Sequence, residues 1–481
     1  MSRAWAGLST EASAARRYGD LVRNHLSWRG LAATVALGFV CVVLGLLSVV
    51  MGDMASVRPV FFVVLPLLIA VGLAFAINPK ALVIAVFVFR GGADQIFQGT
   101  QIGGGPGLGA LINLAMILLA AVLQLKDRAS VPRLAWMAWL PFLGMIFVGL
   151  AYTPDFVPAL RFAFALAATF AVFVISFHLV ADERSLDKLL KIILFSSIPV
   201  VVITFIGMAQ GRSASSLEGM ETTVGRYGGP FPHPNILAFY AVLILGILLY
   251  LWKRKKGTEG GALRTAGYLA YTIVMLVILY VTKTRSAWMG AILMYFVYGL
   301  FVERRYLIYL AFLPILALLI PDIRDRIADL GQGNEVVQYA RLNSFAWRKL
   351  LWENALEWMS PARYIFGYGT AAFYWYSVDF FQMAGGFRWG AHSVWVQLFL
   401  ELGLVGLAAF MWLFYQVAKM VWPFWKQNKA GAVIFLSQLL TYLIVSASDN
   451  MLAYLVYNWY FWLAIGGVCA VASRTTFPAS K

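Results

Sequence analysis

The chain has 481 residues, of which 61% are hydrophobic and only 12% charged, with a mean hydropathy of +0.77. A soluble domain of that size could not bury so much apolar surface, so the composition excludes one and indicates an all-α, polytopic membrane protein. The net charge of +16 would suggest nucleic acid in a soluble chain, but here Lys and Arg gather in short loops between apolar runs. The positive-inside rule accounts for most of that charge, and no nucleic-acid partner is expected.

Residues 1–30 are polar, carry Arg16, Arg17, Arg23 and Arg29, and lack an apolar core followed by a small-residue cleavage site, which reads as a cytosolic arm. A spanning helix needs ~20 mostly apolar residues. Runs of that kind fall near 31–51, 58–77, 79–91, 107–126, 133–152, 159–180, 190–209, 234–252, 264–281, 286–302, 305–320, 392–418, 430–448 and 451–473. That predicts about fourteen spans, eleven within 31–320 and three within 392–481 with a short cytosolic tail, around one large polar loop at 321–391. The third run is short and broken at Arg90, Gly91 and Gly92, so re-entry is an alternative to crossing. Cys41 and Cys469 both lie in apolar runs, so neither a disulfide framework nor a cysteine metal site is indicated.

Threading the runs with the N-terminus inside puts the clusters around Lys126, Lys188, Lys253, Arg304 and Lys426 on the cytosolic side, together with both termini. The other side then holds arginines that topology does not explain: Arg161, Arg226, Arg285, Arg341 and Arg388. Each incurs a desolvation cost at a membrane boundary unless something anionic meets it. Arg161 falls a few residues inside its run, which predicts a side chain turned into the bundle. Asp53 and Asp94 are isolated in outer loops, with no carboxylate pair spaced for Mg²⁺ or Mn²⁺.

Within the long loop, Ile323, Ile327 and Leu330 form one apolar face opposite Arg324, Asp325, Arg326 and Asp329, a short surface-lying helix. Asn343 or Ser344 can cap a helix to about Met359 with Trp347, Leu351, Ala355 and Trp358 on one side, and Ser360–Pro361 ends it. Gly367 and Gly369 permit a tight turn around Tyr368, and Tyr374, Trp375 and Tyr376 add an aromatic cluster.

His392, at the mouth of the next run and four residues after Arg388, can act as a general base or hydrogen-bond to a sugar hydroxyl. Chemistry alone leaves open an interfacial histidine satisfied by backbone. Arg285, in the short loop Thr282–Ser286, suits bidentate recognition of phosphate, or equally a snorkelling helix anchor. Arg226 precedes Gly228, Gly229 and Pro234, where free N–H groups at a helix start attract anions, or which equally form an ordinary Gly/Pro-rich entry loop. A metal site shared by His233 and His392 has no spacing signature. Glu401, within a membrane run, reads as structural.

The order Gly229–Pro230–Phe231 and Pro234–Asn235, Thr284–Arg285–Ser286, Arg341 with Trp347, Phe366–Gly367–Tyr368–Gly369, and Ala391–His392 followed by Glu401, Gly403 and Gly406 resembles the bacterial O-antigen ligase and polymerase family over roughly residues 220–420. The resemblance implies a GT-C-type fold and an inverting glycosyltransferase that needs neither metal nor cofactor. Its donor would be an oligosaccharide on undecaprenyl diphosphate in the bacterial inner membrane, with the site facing the periplasm. It assigns His392 to catalysis, Arg285 and Arg341 to the diphosphate, and Arg226 and Arg161 less directly to the same group. Ser393 departs from the asparagine common after the histidine. Arg388, Trp389, Tyr368 and Trp347 are expected to hold the acceptor.

Polymerase and ligase share this chemistry and differ in acceptor, a lipid-linked repeat unit or lipid A–core. The number of spans and the long loop favour a polymerase of exopolysaccharide or O-antigen, with ligase as the alternative. A flippase and a chain-length regulator are implied partners, beside membrane lipids. A lipid-linked glycan transporter and a cell-wall glycan polymerase are the remaining readings.

Overall fold

The computed structural model describes residues 78–94, 108–212, 225–254, 261–319, 324, 344–381, 383 and 385–476. The arm 1–30, the first two apolar runs, Asp53, most of the 322–330 segment and Arg341 lie outside the described residues. Lipid offers no partner to backbone amides, so apolar runs satisfy them internally as helices, and among the described residues there is no strand. In chain order the helices are α1 Pro79–Arg90, α2 Leu108–Lys126, α3 Arg133–Val148, α4 Phe156–Leu179, α5 Glu183–Ala209, α6 Pro234–Arg254 and α7 Gly261–Val281. They continue as α8 Arg285–Phe301, α9 Arg305–Leu319, α10 Ser344–Trp358, α11 Ala372–Phe380, α12 Val394–Val421, α13 Lys429–Val445 and α14 Leu455–Thr476. Among the described residues eight helical stretches are long and apolar enough to cross a membrane: α2 to α7, α12 and α14. The chain is thus an all-α polytopic membrane protein.

The core sits around α6 and α14, which are buried almost throughout, and aromatic rings fill it. Trp462 of α14 meets Trp139 of α3 edge-on at 4.7 Å and Phe414 of α12 at 5.6 Å. Outward faces, such as Leu276 and Ile273 on α7, stay apolar and exposed, as a lipid-facing surface requires. On the basic face Asp187 and Glu183 of α5 accept from Arg254 of α6, and Glu303 binds Lys253 and Arg305, so these charges tie helix ends together.

α1 has 12 residues, about 18 Å against a hydrocarbon core of ~30 Å. Its last turn ends inside the bundle, where the Tyr460 hydroxyl donates to Phe87 O at 2.5 Å and accepts from Gly91 N–H at 3.0 Å. Asp94 is not an isolated loop residue, contrary to expectation. It is fully buried and pairs at 2.7 Å with Arg90, itself 2% exposed and 5.4 Å from the Trp459 ring. A carboxylate removed from water needs such a partner, and the four-residue spacing supplies it.

The run expected at 392–418 is not one straight span. α12 starts at Val394 and breaks at Gly403, whose φ of 65° and ψ of −162° are not helical. Trp395 and Phe410, about 22 Å apart along an unbroken helix, bring their rings within 5.7 Å. The segment 394–402 therefore folds across the end of the bundle, leaving Leu404–Val421 as the spanning part, about 27 Å long. The four backbone groups freed by the break are taken up by the loop after α10. Leu400 O and Glu401 O accept from Tyr368 N and Gly369 N at 2.9 and 2.8 Å, while Leu404 N and Val405 N donate to Tyr364 O and Ile365 O at 2.8 and 3.2 Å. A Cβ at Gly367 would lie 2.4 Å from the Glu401 carbonyl and one at Gly403 2.3 Å from Ile365, so both glycines are required by the approach.

Candidate functional site

Four chain segments converge at the end of the bundle opposite the basic face: the loop 225–234 leading into α6, the turn Thr282–Ser286 before α8, the residues before α12, and the turn Ser446–Asn450 between α13 and the helical turn that precedes α14. Pro234 opens α6, and the His233 ring accepts from Asn235 N–H at 3.1 Å, capping an otherwise open helix start.

Asn235 and Asp449 hold the centre. Asn235 Nδ2 donates to Asp449 Oδ1 at 2.6 Å, and its Oδ1 accepts from Arg226 Nη2 at 2.7 Å and Thr284 Oγ1 at 3.1 Å. Asp449 also accepts from Ser286 Oγ at 2.5 Å and Tyr454 OH at 3.0 Å. Both residues are buried, so each bond counts for more than at a surface. Arg226 is buried as well and donates from Nε to Thr282 O at 2.9 Å, which directs its guanidinium inward on the scaffold. Arg285 starts α8 between Thr284 and Ser286, two members of this network, and is partly exposed.

His392 lies immediately before the cap of α12 in the left-handed conformation, φ 49°, rare for any residue but glycine. Its neighbours hold it there. Trp352 Nε1 donates to Ala391 O at 2.6 Å, Ser393 caps α12 at Val396 N, and Val394 N donates to Ser446 O at 2.9 Å. That last bond fastens the histidine to the turn that carries Asp449. The His392 ring is half-buried and edge-on to Trp347, with ring centroids 6.0 Å apart. The next residue of α10, Arg348, donates from Nη1 to Ser448 O at 2.8 Å. The loop helix thus covers the site with one aromatic ring and one guanidinium.

Of the four residues expected to hold an acceptor, Trp347 stands beside His392 and the other three are placed differently. Tyr368 is packed between Trp358 and Tyr376, its hydroxyl accepting from Ser360 N–H at 3.0 Å. Trp389 is buried against Trp347 at 4.9 Å, with an indole N–H that has no partner among the described residues. Arg388 is exposed and lies 3.9 Å over the Trp375 ring. Arg161 corrects the expectation of burial: α4 turns Ala159 and Ala163 inward and leaves Arg161 exposed between Val157 and Phe164. Small residues there let α4 pack closely, so the long cation takes the opposite face. Glu401 is buried and accepts from Phe373 N at 3.4 Å at the start of α11, consistent with a structural role.

Sequence reasoning missed Asp449 and gave Arg348 no role. Asp449 sits in a short turn between two apolar runs, and that carboxylate where lipid meets water was the available signal. Arg348 lies at the edge of the apolar face of α10 and is distinguished only by its tertiary partner.

No curated protein shows significant similarity to the chain. Residues 270–411 match the family model described as O-antigen ligase, a range that holds Arg285, Trp347, Arg348, His392 and the Gly403 break, so over this part of its length the chain carries an O-antigen ligase family domain.

Proposed function

We propose that the chain is a glycosyltransferase of GT-C type that moves a glycan from undecaprenyl diphosphate to a hydroxyl of lipid A–core at the periplasmic face of the bacterial inner membrane. The observation that supports this reading is the bond from Val394 to Ser446, which fastens the segment after His392, inside the O-antigen ligase family domain, to the turn that carries Asp449. The description of that domain favours the ligase reading over the polymerase that span number and loop length suggested.

In this mechanism the acceptor hydroxyl attacks the anomeric carbon in line with the departing diphosphate, and His392 takes its proton. The bond from the anomeric carbon to the phosphate oxygen breaks with its electron pair going to the diphosphate. Arg285 and Arg348, with Arg341 from the sequence reading, offset the charge growing there. Arg226 is a positioning residue, since its donors are directed to Thr282, Asn235 and Thr284. Arg388 on Trp375 offers a polar and aromatic surface for the acceptor saccharide.

The test uses purified protein, a prenyl-diphosphate oligosaccharide, and either lipid A–core or a second lipid-linked unit as acceptor. Transfer to lipid A–core supports the proposal. Elongation of the lipid-linked unit alone replaces ligase by polymerase, and transfer to neither overturns the glycosyltransferase reading.

A further inference from the structure

The loop between α10 and α11 carries three consecutive exposed apolar residues. Tyr364 is 38% exposed and Ile365 and Phe366 are each 55% exposed. Surface hydrophobics scattered singly need no explanation, but a contiguous strip on a loop otherwise folded around its own core does. Two of the three present their carbonyls to the start of the spanning part of α12, through the bonds from Leu404 and Val405. Leu404 is itself 56% exposed, and Tyr364 lies against Phe399 at 5.6 Å.

On its other side the strip meets the turn between α3 and α4. Phe366 O accepts from the Tyr152 hydroxyl at 2.7 Å, and Thr153 Oγ1 donates to Thr370 O at 2.7 Å. The first residues of α4 beyond this contact, Phe156 and Val157, are likewise apolar and exposed. A band of uncovered hydrophobic side chains therefore runs from α4, across the loop, to α12, at the level where α12 breaks. The exposed Arg363 borders it, 5.4 Å from the Tyr368 ring, on the side of the loop core. Tyrosine is enriched at the boundary between hydrocarbon and headgroups, and an arginine bordering such a strip can hold its charge in the headgroup layer.

We propose that Tyr364–Phe366 dips into the lipid at the site-bearing face, so that the bilayer itself is the partner of this surface and fixes the height of the loop over the site. The irregular backbone at this level is tolerated because its polar groups are satisfied at the Gly403 break. The inference rests on the lipid-facing continuity of α12 and does not depend on glycosyl transfer.

Single nitroxide labels at Ile365, Phe366, Leu404, Glu357 and Asp379, in the full chain with Cys41 and Cys469 replaced by Ala, would test it in phosphatidylcholine–phosphatidylglycerol vesicles. Labels at Ile365 and Phe366 are expected to match Leu404, with an oxygen-to-nickel-chelate collision ratio at least about fivefold above Glu357 and Asp379, because polar reagents are excluded from hydrocarbon. A ratio equal to that of Glu357 overturns the proposal, as does shielding from both reagents, which would mean a protein surface covers the strip. Should the cysteine-free chain not assemble, a photo-crosslinking residue at Phe366 in the native background gives the same decision. A phospholipid adduct like that formed at Leu404 supports it, and its absence there alone overturns it.

Discussion

Asn235 and Asp449 meet at 2.6 Å although 214 residues separate them. The pair joins the start of α6 to the turn after α13, and four further donors converge on it from Arg226, Thr284, Ser286 and Tyr454. Replacing Asp449 by Ala removes the acceptor shared by Asn235, Ser286 and Tyr454, and buried donors left unpaired cost about 1–3 kcal/mol each. Asp449→Ala is expected to lower the melting temperature in detergent and to abolish transfer, whereas Asp449→Asn keeps more of the stability than of the activity. Equal loss of both would make the residue purely structural.

His392→Ala and Arg285→Ala are each expected to reduce transfer by ~10²-fold or more, the range for a lost proton acceptor or charge stabiliser. Membrane insertion and melting temperature should stay near those of the parent protein. Normal glycan assembly in both variants would exclude the site.

Arg348 can act by charge or by fastening α10 to Ser448. Arg348→Gln retains a donor for that carbonyl and loses the charge, while Arg348→Ala loses both. If charge matters, kcat/KM falls by ~10-fold or more in each variant. If fastening matters, the glutamine variant keeps most of the activity.

Gly403→Ala would put a Cβ 2.3 Å from Ile365 in a backbone conformation essentially reserved for glycine. The expected cost is ~2 kcal/mol or more. Because the break receives the 364–369 segment, the loss should show first as proteolysis between α10 and α11, with cleavage rates compared at constant detergent. Unchanged protection would show that the loop is held elsewhere.

On the basic face, burial would raise the Glu303 carboxyl, but hydrogen bonds from Lys253, Tyr298 and Arg305 outweigh it and bring it down to about 2 from 4.5. A lowered carboxyl contributes stability that is present above its ordinary value and lost as pH falls through the lowered one. Melting temperature should therefore decline as pH drops from 4.5 towards 2, and less steeply in Glu303→Gln. A variant curve parallel to that of the parent would remove this turn from the acid response.

Among the described residues, which apolar runs become helices was decided by the sequence alone. Lipid leaves the backbone no other partner, so α2 to α4, α6 to α9, α13 and α14 begin and end near where hydropathy places them, while α5 starts two turns early, at the Asp182 cap. The start of α10 at Ser344 and its end before Ser360–Pro361 are local chemistry and were legible for the same reason. Long-range pairing was not. The bond between Asn235 and Asp449, the partner of Asp94, the outward turn of Arg161 and the docking of Tyr364–Gly369 into the Gly403 break all depend on which helix ends lie side by side. A glycine inside an apolar run looks the same whether it permits close packing or breaks the helix, and only the segment that approaches it distinguishes the two.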